Sequence, residues 1–196
     1  QLTFAVDKQP GDALYDTDLA ELDHLDASNA GIVDLTGFEY CENLRWLSLA
    51  GNKISQLGPL ANLSAITNLY LGGNRIQDLT PLSGLNRLRG LELQNNQISN
   101  LDGLQNLGGL VALHLHDNLI TDITGLRFLL NLEVLTLGNN QIANIDTLAL
   151  FKGLVHLELG GNLLTGIEPL AGLANLQRLS IWGNQVTQLD PLAGLI

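Results

Sequence analysis

The sequence predicts an α/β solenoid, a right-handed superhelix with a parallel β-sheet on its concave face and loops or short 3₁₀ segments on its convex face. Three observations carry this reading. Leucine or isoleucine returns at Leu22, Leu44, Ile66, Leu88, Leu110, Leu132, Leu154 and Leu176, every interval being 22 residues without an insertion. Each unit opens with an alternation, Leu91 and Leu93 in the fourth, that sets its leucines on one side of a short strand and the intervening residues on the other, exposed side. Apolar residues then follow at every third position, as at Leu101, Leu104 and Leu107, with Gly and Pro between them. That spacing is too interrupted for a long helix and suits extended or 3₁₀ connections.

Taken from the N-terminus, the first element is the stretch before the repeat, residues 1–21. The formal net charge of −11 is concentrated at this end: residues 1–42 hold ten acids against Lys8 alone, whereas residues 43–196 hold ten acids against eight bases. An acidic chain without a basic stripe argues against nucleic-acid binding, because neutralised phosphates supply most of that affinity. No stretch approaches the roughly 18 consecutive apolar residues of a membrane span, so no membrane insertion is expected. Residues Gln1 to Pro10 lack a signal-peptide pattern, and a chain starting at Gln1 with no methionine reads as a processed or excerpted segment.

Eight units fill residues 22–196, each opening on LxxLxLxxNx(I/L/V), as in the run from Leu88 through Leu91, Leu93 and Asn96 to Ile98. This matches the leucine-rich-repeat pattern. A lone unit cannot bury enough apolar surface to offset its ordering, so neighbours must stack and join their strands into one sheet. Stacking lets Asn52, Asn74, Asn96, Asn118, Asn140, Asn162 and Asn184 form a buried ladder, each amide bonding backbone in the turn after its strand. The first unit has Ala30 at that position, so the ladder begins one unit late. In the connections, Thr80-Pro81, Glu168-Pro169 and Asp190-Pro191 read as helix starts in which the residue before proline accepts a backbone hydrogen bond.

The unit length, the ITDL- and LxPL-type connections and the segment Leu14-Tyr15-Asp16-Thr17-Asp18-Leu19-Ala20-Glu21-Leu22 resemble bacterial internalin-like leucine-rich-repeat proteins. The resemblance covers nearly the whole chain. It implies an N-terminal helical cap over residues 1–21 and an extracellular or cell-surface bacterial protein that binds a partner protein. The repeat class is shared with intracellular phosphatase-regulating proteins, which leaves an intracellular scaffold as a further alternative. At the other end, Leu195-Ile196 brings no capping pattern, so a covering element or end-to-end self-association into filaments is expected there.

Candidate chemistry is sparse. Cys41 takes a position filled elsewhere by Leu63, Leu85 or Phe151 and reads as a small core residue. His114 and His116, two apart on one strand, project to the concave side near Glu92 and Gln94. Such a pair is usable for zinc, but a flat sheet encloses poorly and no fourth ligand is evident, so no metal and no cofactor are expected. No Ser/His/Asp set is in view, and Glu92 and Glu158 lie three rungs or roughly 14 Å apart, beyond glycosidase spacing. The chain therefore reads as non-catalytic.

The outward positions form three columns. One runs His24, Trp46, Asn68, Gly90, Ala112, Val134, His156, Arg178; the middle runs Asp26, Ser48, Tyr70, Glu92, His114, Thr136, Glu158, Ser180; the third runs Ser28, Ala50, Gly72, Gln94, His116, Gly138, Gly160, Trp182. Residues in these columns differ while the framework repeats. Trp46, Tyr70, Glu92, Gln94, His114, His116, His156, Glu158, Arg178 and Trp182 are the candidate partner-binding residues, since exposed aromatic rings bury large area at small entropic cost.

Overall fold

The structure is a computed structural model in which residues 19–194 are described. The eight predicted strands form: β1 (His24–Asp26), β2 (Trp46–Ser48), β3 (Asn68–Tyr70), β4 (Gly90–Glu92), β5 (Ala112–His114), β6 (Val134–Thr136), β7 (His156–Glu158) and β8 (Arg178–Ser180). They pair in parallel, in chain order, as one sheet. The register is that of the repeat: Leu91 lies against Leu113 and Glu92 against His114. An uninterrupted 22-residue period makes every strand equivalent, so like residues stack on like.

Leucine sits at the centre of all eight strands, and in β2 to β7 it is fully buried. The following leucines and isoleucines complete one continuous core from Leu19 to Leu173. In the eighth unit Leu176, Leu179 and Ile181 are only partly buried, because stacking there is one-sided among the described residues. Most of the expected cap lies outside the described residues, as do Leu195 and Ile196; Leu19 and Ala20 are helical, and Leu19 is buried against the core.

The asparagine ladder does more than close its own turn. Asn118 Nδ2 donates to Leu115 O at 3.0 Å in its own unit and to Leu93 O at 3.0 Å in the unit before, while its Oδ1 accepts from Ile98 N at 3.0 Å. The same set recurs at Asn52, whose Oδ1 reaches back to Ala30 N and Ile32 N at 3.0 and 2.9 Å. Each amide thus bonds one unit to the next, and the first unit needs no asparagine of its own. The residue before each ladder position turns the chain through the left-handed region: Asn29, Gly51, Gly73, Asn95, Asp117, Asn139, Gly161 and Gly183 all have φ between 52° and 68°. Only Gly, Asn and Asp occupy this column because they tolerate that conformation best.

On the convex side seven 3₁₀ segments occur among the described residues, including Thr80–Leu82, Glu168–Leu170 and Asp190–Leu192. Proline is the second residue of these three, but the residue before it does not cap: the N-caps are Leu79, Ile167 and Leu189, without a side-chain bond. The acceptor is an aspartate two residues earlier where one is present. Asp78 Oδ1 takes the Thr80 N–H at 2.9 Å and its hydroxyl at 2.7 Å, and Asp34 and Asp122 treat Thr36 and Thr124 alike. These bonds stabilise the charged carboxylates and hold all three below the ordinary carboxylate value. Phe128, Leu130 and Leu150 leave an exposed apolar patch on this side, with the Arg127 guanidinium 4.6 Å from the Phe128 ring centre.

Candidate partner-binding face

The strands carry the outward columns to one surface in the predicted order, and all ten candidate residues lie on it. They do not form one site. At the N-terminal end the rings stack along the solenoid axis: His24 lies 4.0 Å from Trp46 with planes 8° apart, and Trp46 lies 5.0 Å from Tyr70 at 42°. Register places these three on consecutive strands. Ser48, between them, is buried at 7% exposure, a departure from the expectation that every outward position is open. Bulky neighbours one rung away cover a small residue.

The centre is polar. His114 Nδ1 and His116 Nδ1 lie 3.2 and 3.0 Å from Thr136 Oγ1, so a single hydroxyl joins both rings. Thr136 is 3% exposed beneath them, and the outward Gly72, Gly138 and Gly160 are buried as well. Desolvation by this packing is the main cause that lowers the His114 pKa; the nearby His116 and His156 act in the same direction, and Glu92 and Glu158 oppose it. Gln94 turns away from the imidazoles, donating from Nε2 to Glu92 Oε2 at 3.0 Å. Glu92 and Gln94 therefore pair with each other rather than completing a ligand set around the histidines. Among the described residues no group of three His, Cys, Asp or Glu side chains has the arrangement to hold a metal ion.

Toward the C-terminal end His156 Nε2 meets Glu158 Oε1 at 2.9 Å, and Arg178 stands beside His156 across the β7–β8 pair. The Trp182 indole lies over the backbone of Gly160 and is 63% exposed. Cys41 is fully buried, and burial, with Glu39 adding to it, pushes its thiol up to about 11, which keeps it protonated and unreactive.

Three features of this face escaped the sequence reading: Thr136 as the joint between the histidines, His24 as a stacking partner, and the small residues that floor the surface. The first two follow from the strict register, since His24 precedes Trp46 by 22 positions and Thr136 follows His114 by 22.

Parallel strands in strict repeat with an asparagine ladder define a leucine-rich-repeat solenoid, and a family model described as Leucine Rich repeats (2 copies) matches residues 42–84, 64–106, 86–128, 108–150 and 152–194. The chain belongs to the leucine-rich-repeat proteins, which are protein-interaction modules. Within that class it is internalin-like. It is similar to internalin C2 (inlC2) of Listeria monocytogenes, with 36% identity over 100% of this chain and 87% of that one and a TM-score of 0.96. It is also similar to an internalin (inlF) of the same species, with 28% identity over 99% of this chain and 71% of that one and a TM-score of 0.62. The ectodomain of the Arabidopsis thaliana receptor kinase GASSHO1/SCHENGEN3, solved in complex with CASPARIAN STRIP INTEGRITY FACTOR 2, shares the fold, with 24% identity over 79% of this chain and 20% of that one and a TM-score of 0.70. No curated protein matches the sequence. Among the described residues no helix is long and apolar enough to cross a membrane.

Proposed function

We propose that this chain is a non-catalytic recognition or adhesion module of a bacterial surface or secreted protein, binding a partner protein on the concave face of its sheet, with residues 1–21 as its N-terminal cap. The observation that carries the reading is the contrast within each strand. The inward position is leucine throughout, while the outward positions carry Trp46, Tyr70, His114, His156 and Glu158 at partial exposure and Trp182 at 63%. A face that only had to be wet has no use for large aromatic rings, whereas a binding face anchors through them. The internalin likeness supports a surface or secreted setting and a protein partner.

The test begins with capture of a partner from surface proteins of host or neighbouring cells, followed by calorimetric titration of that purified partner. Combining Tyr70→Ala, His114→Ala and His116→Ala is expected to weaken association by about 2–4 kcal/mol with little change in melting temperature, because partly exposed side chains leave on truncation without opening the core. Unchanged affinity would remove the concave assignment. A second reading, end-to-end stacking, draws on the only partly buried Leu176, Leu179 and Ile181. Light scattering separates the two: a constant mass at rising concentration excludes open-ended growth.

A further inference from the structure

We infer that two copies of this chain pair side by side through the convex-side segment that returns to each strand, the acidic, tyrosine-bearing end of one seating on the basic, apolar patch of the other about a two-fold axis near Gly84. The concave faces stay free.

The strict repeat allows these segments to be compared place by place. Glu39, Tyr40 and Glu42 stand five, four and two residues before Leu44, which opens the next unit. The same places before Leu132 hold Arg127, Phe128 and Leu130, and those before Leu154 hold Ala149, Leu150 and Lys152. Charge is thus reversed between the first unit and the fifth and sixth, while a large ring or aliphatic side chain keeps its place. The three units between have only alanine, serine, asparagine, glutamine and glycine there, so nothing bulky or charged stands between the two patches at these places. The framework accepts such small residues, yet Tyr40, Phe128, Leu130 and Leu150 are each about half exposed. Among the described residues Glu42, Arg127 and Lys152 make no ion pair. Arg127 packs its guanidinium on the Phe128 ring, and Lys152 Nζ donates to the Gly172 carbonyl at 3.2 Å, which keeps both cations at the patch. Glu39 accepts the Gly37 N–H on Oε2 only.

The patches lie four to five rungs apart, roughly 19–24 Å at ordinary strand spacing. A two-fold axis through the third unit, running from the convex to the concave side, reverses the order of units but preserves each residue's place within its unit. It sets Glu39 against Arg127, Tyr40 against Phe128 and Glu42 against Lys152, and by symmetry each contact occurs twice. Gly84 then meets its own copy at the axis, where a large side chain would hold the chains apart. The strip is six rungs long and about four residues wide, about 400 Å² per copy, which suits a weak, reversible pair. Both concave faces open to the same side, so the pair presents two binding faces to one partner surface.

The test is analytical ultracentrifugation of the chain up to about 1 mM, where mass is expected to level off at two chains with half-association at about 0.1 mM. Arg127→Glu and Glu39→Lys are each expected to weaken pairing at least about 10-fold, because symmetry repeats every like-charge contact. Mixed one to one, the two variants are expected to recover it, since each altered side chain then faces its opposite charge. Glu42→Lys with Lys152→Glu repeats the exchange without disturbing the Glu39 bond to Gly37. Gly84→Cys is expected to crosslink to its own copy under mild oxidation; a Cβ there meets only the Ala61 carbonyl oxygen, at 3.7 Å, and Cys41 is fully buried and does not compete. Ala174→Cys, one unit beyond the patch, is expected to stay reduced. A constant single-chain mass, growth beyond two chains, no recovery in either mixture, or crosslinking of Ala174→Cys as readily as Gly84→Cys would overturn the pairing.

Discussion

In β2 to β7 the inward residue is leucine six times over and wholly enclosed, whereas the outward residues of the same strands pass through tryptophan, tyrosine, glutamate, histidine and valine and keep part of their surface in solvent. Both sides belong to the same backbone, so strand geometry does not distinguish them. On the inward side each leucine must fit against the units before and after it, and only a residue of that volume satisfies both neighbours. On the outward side the constraint is local and weak, and composition is free to follow a ligand. The comparison separates stability from recognition: changes on one side should move melting, and changes on the other should move binding.

The largest effect is expected for Leu113→Ala, at the centre of the sheet and fully buried. Truncation leaves a cavity between units that cannot collapse without disturbing the ladder, and should cost about 2–5 kcal/mol in chemical denaturation. If the midpoint hardly moves, the inward side is more tolerant than the repeat implies. Asn118→Ala comes next, at about 1–3 kcal/mol, since backbone groups of two units lose a partner where water has little access. A midpoint equal to wild type would show that the ladder adds order without stability.

How much of this was legible follows from the same division. The strands, their order, the register and the ladder column were all readable, because a period without insertions converts sequence position directly into place. The outward columns were equally readable as positions, and Trp46, Tyr70 and Trp182 lie on the concave face where the alternation puts them. What those side chains do to one another was not. Thr136 looks like filler until two histidines lean on it. Rotamers decide these matters, and alternation carries no information on rotamers. The proline rule failed for a related reason: the capping group in these connections is set by Asp78 or Asp122, two residues upstream of the 3₁₀ start, not by the residue the proline follows.

A smaller, pH-dependent effect should distinguish the polar centre from the rest of the outward side. Packing on Thr136 holds the His114 pKa below its ordinary 6.5. On acidification the unfolded chain therefore takes up this proton before the folded chain does, and stability falls as pH drops through and below that value. The denaturation midpoint is expected to decline modestly between pH 7.5 and 5, a window above the range where the hydrogen-bonded Asp34, Asp78 and Asp122 begin to lose their contribution, near and below 3.8. His114→Gln should flatten that slope. An identical slope in the variant would assign the effect to another group.

The smallest effect is expected on the convex side, where it also tests the comparison most severely. Replacing Arg87, Arg127 and Lys152 with alanine should leave partner affinity within about 0.5 kcal/mol, because these charges lie off the strand face and exposed substitutions seldom cost more. This surface is not featureless. Phe128, Leu130 and Leu150 are about half exposed. Removing Arg127 takes away the guanidinium packed on the Phe128 ring. If the partner used this patch, the Arg127 change would enlarge or unbalance it and binding would move in one direction or the other. Adding Phe128→Ser and Leu150→Ser to the same background sharpens the result, since both replace apolar with polar surface and neither residue belongs to the buried core. Affinity retained through all five changes, alongside a loss in the Tyr70, His114 and His116 variant, would leave recognition to the outward columns. Affinity lost on the convex side would mean that the solenoid presents its partner with the connections and that the aromatic rings of the sheet serve stability instead.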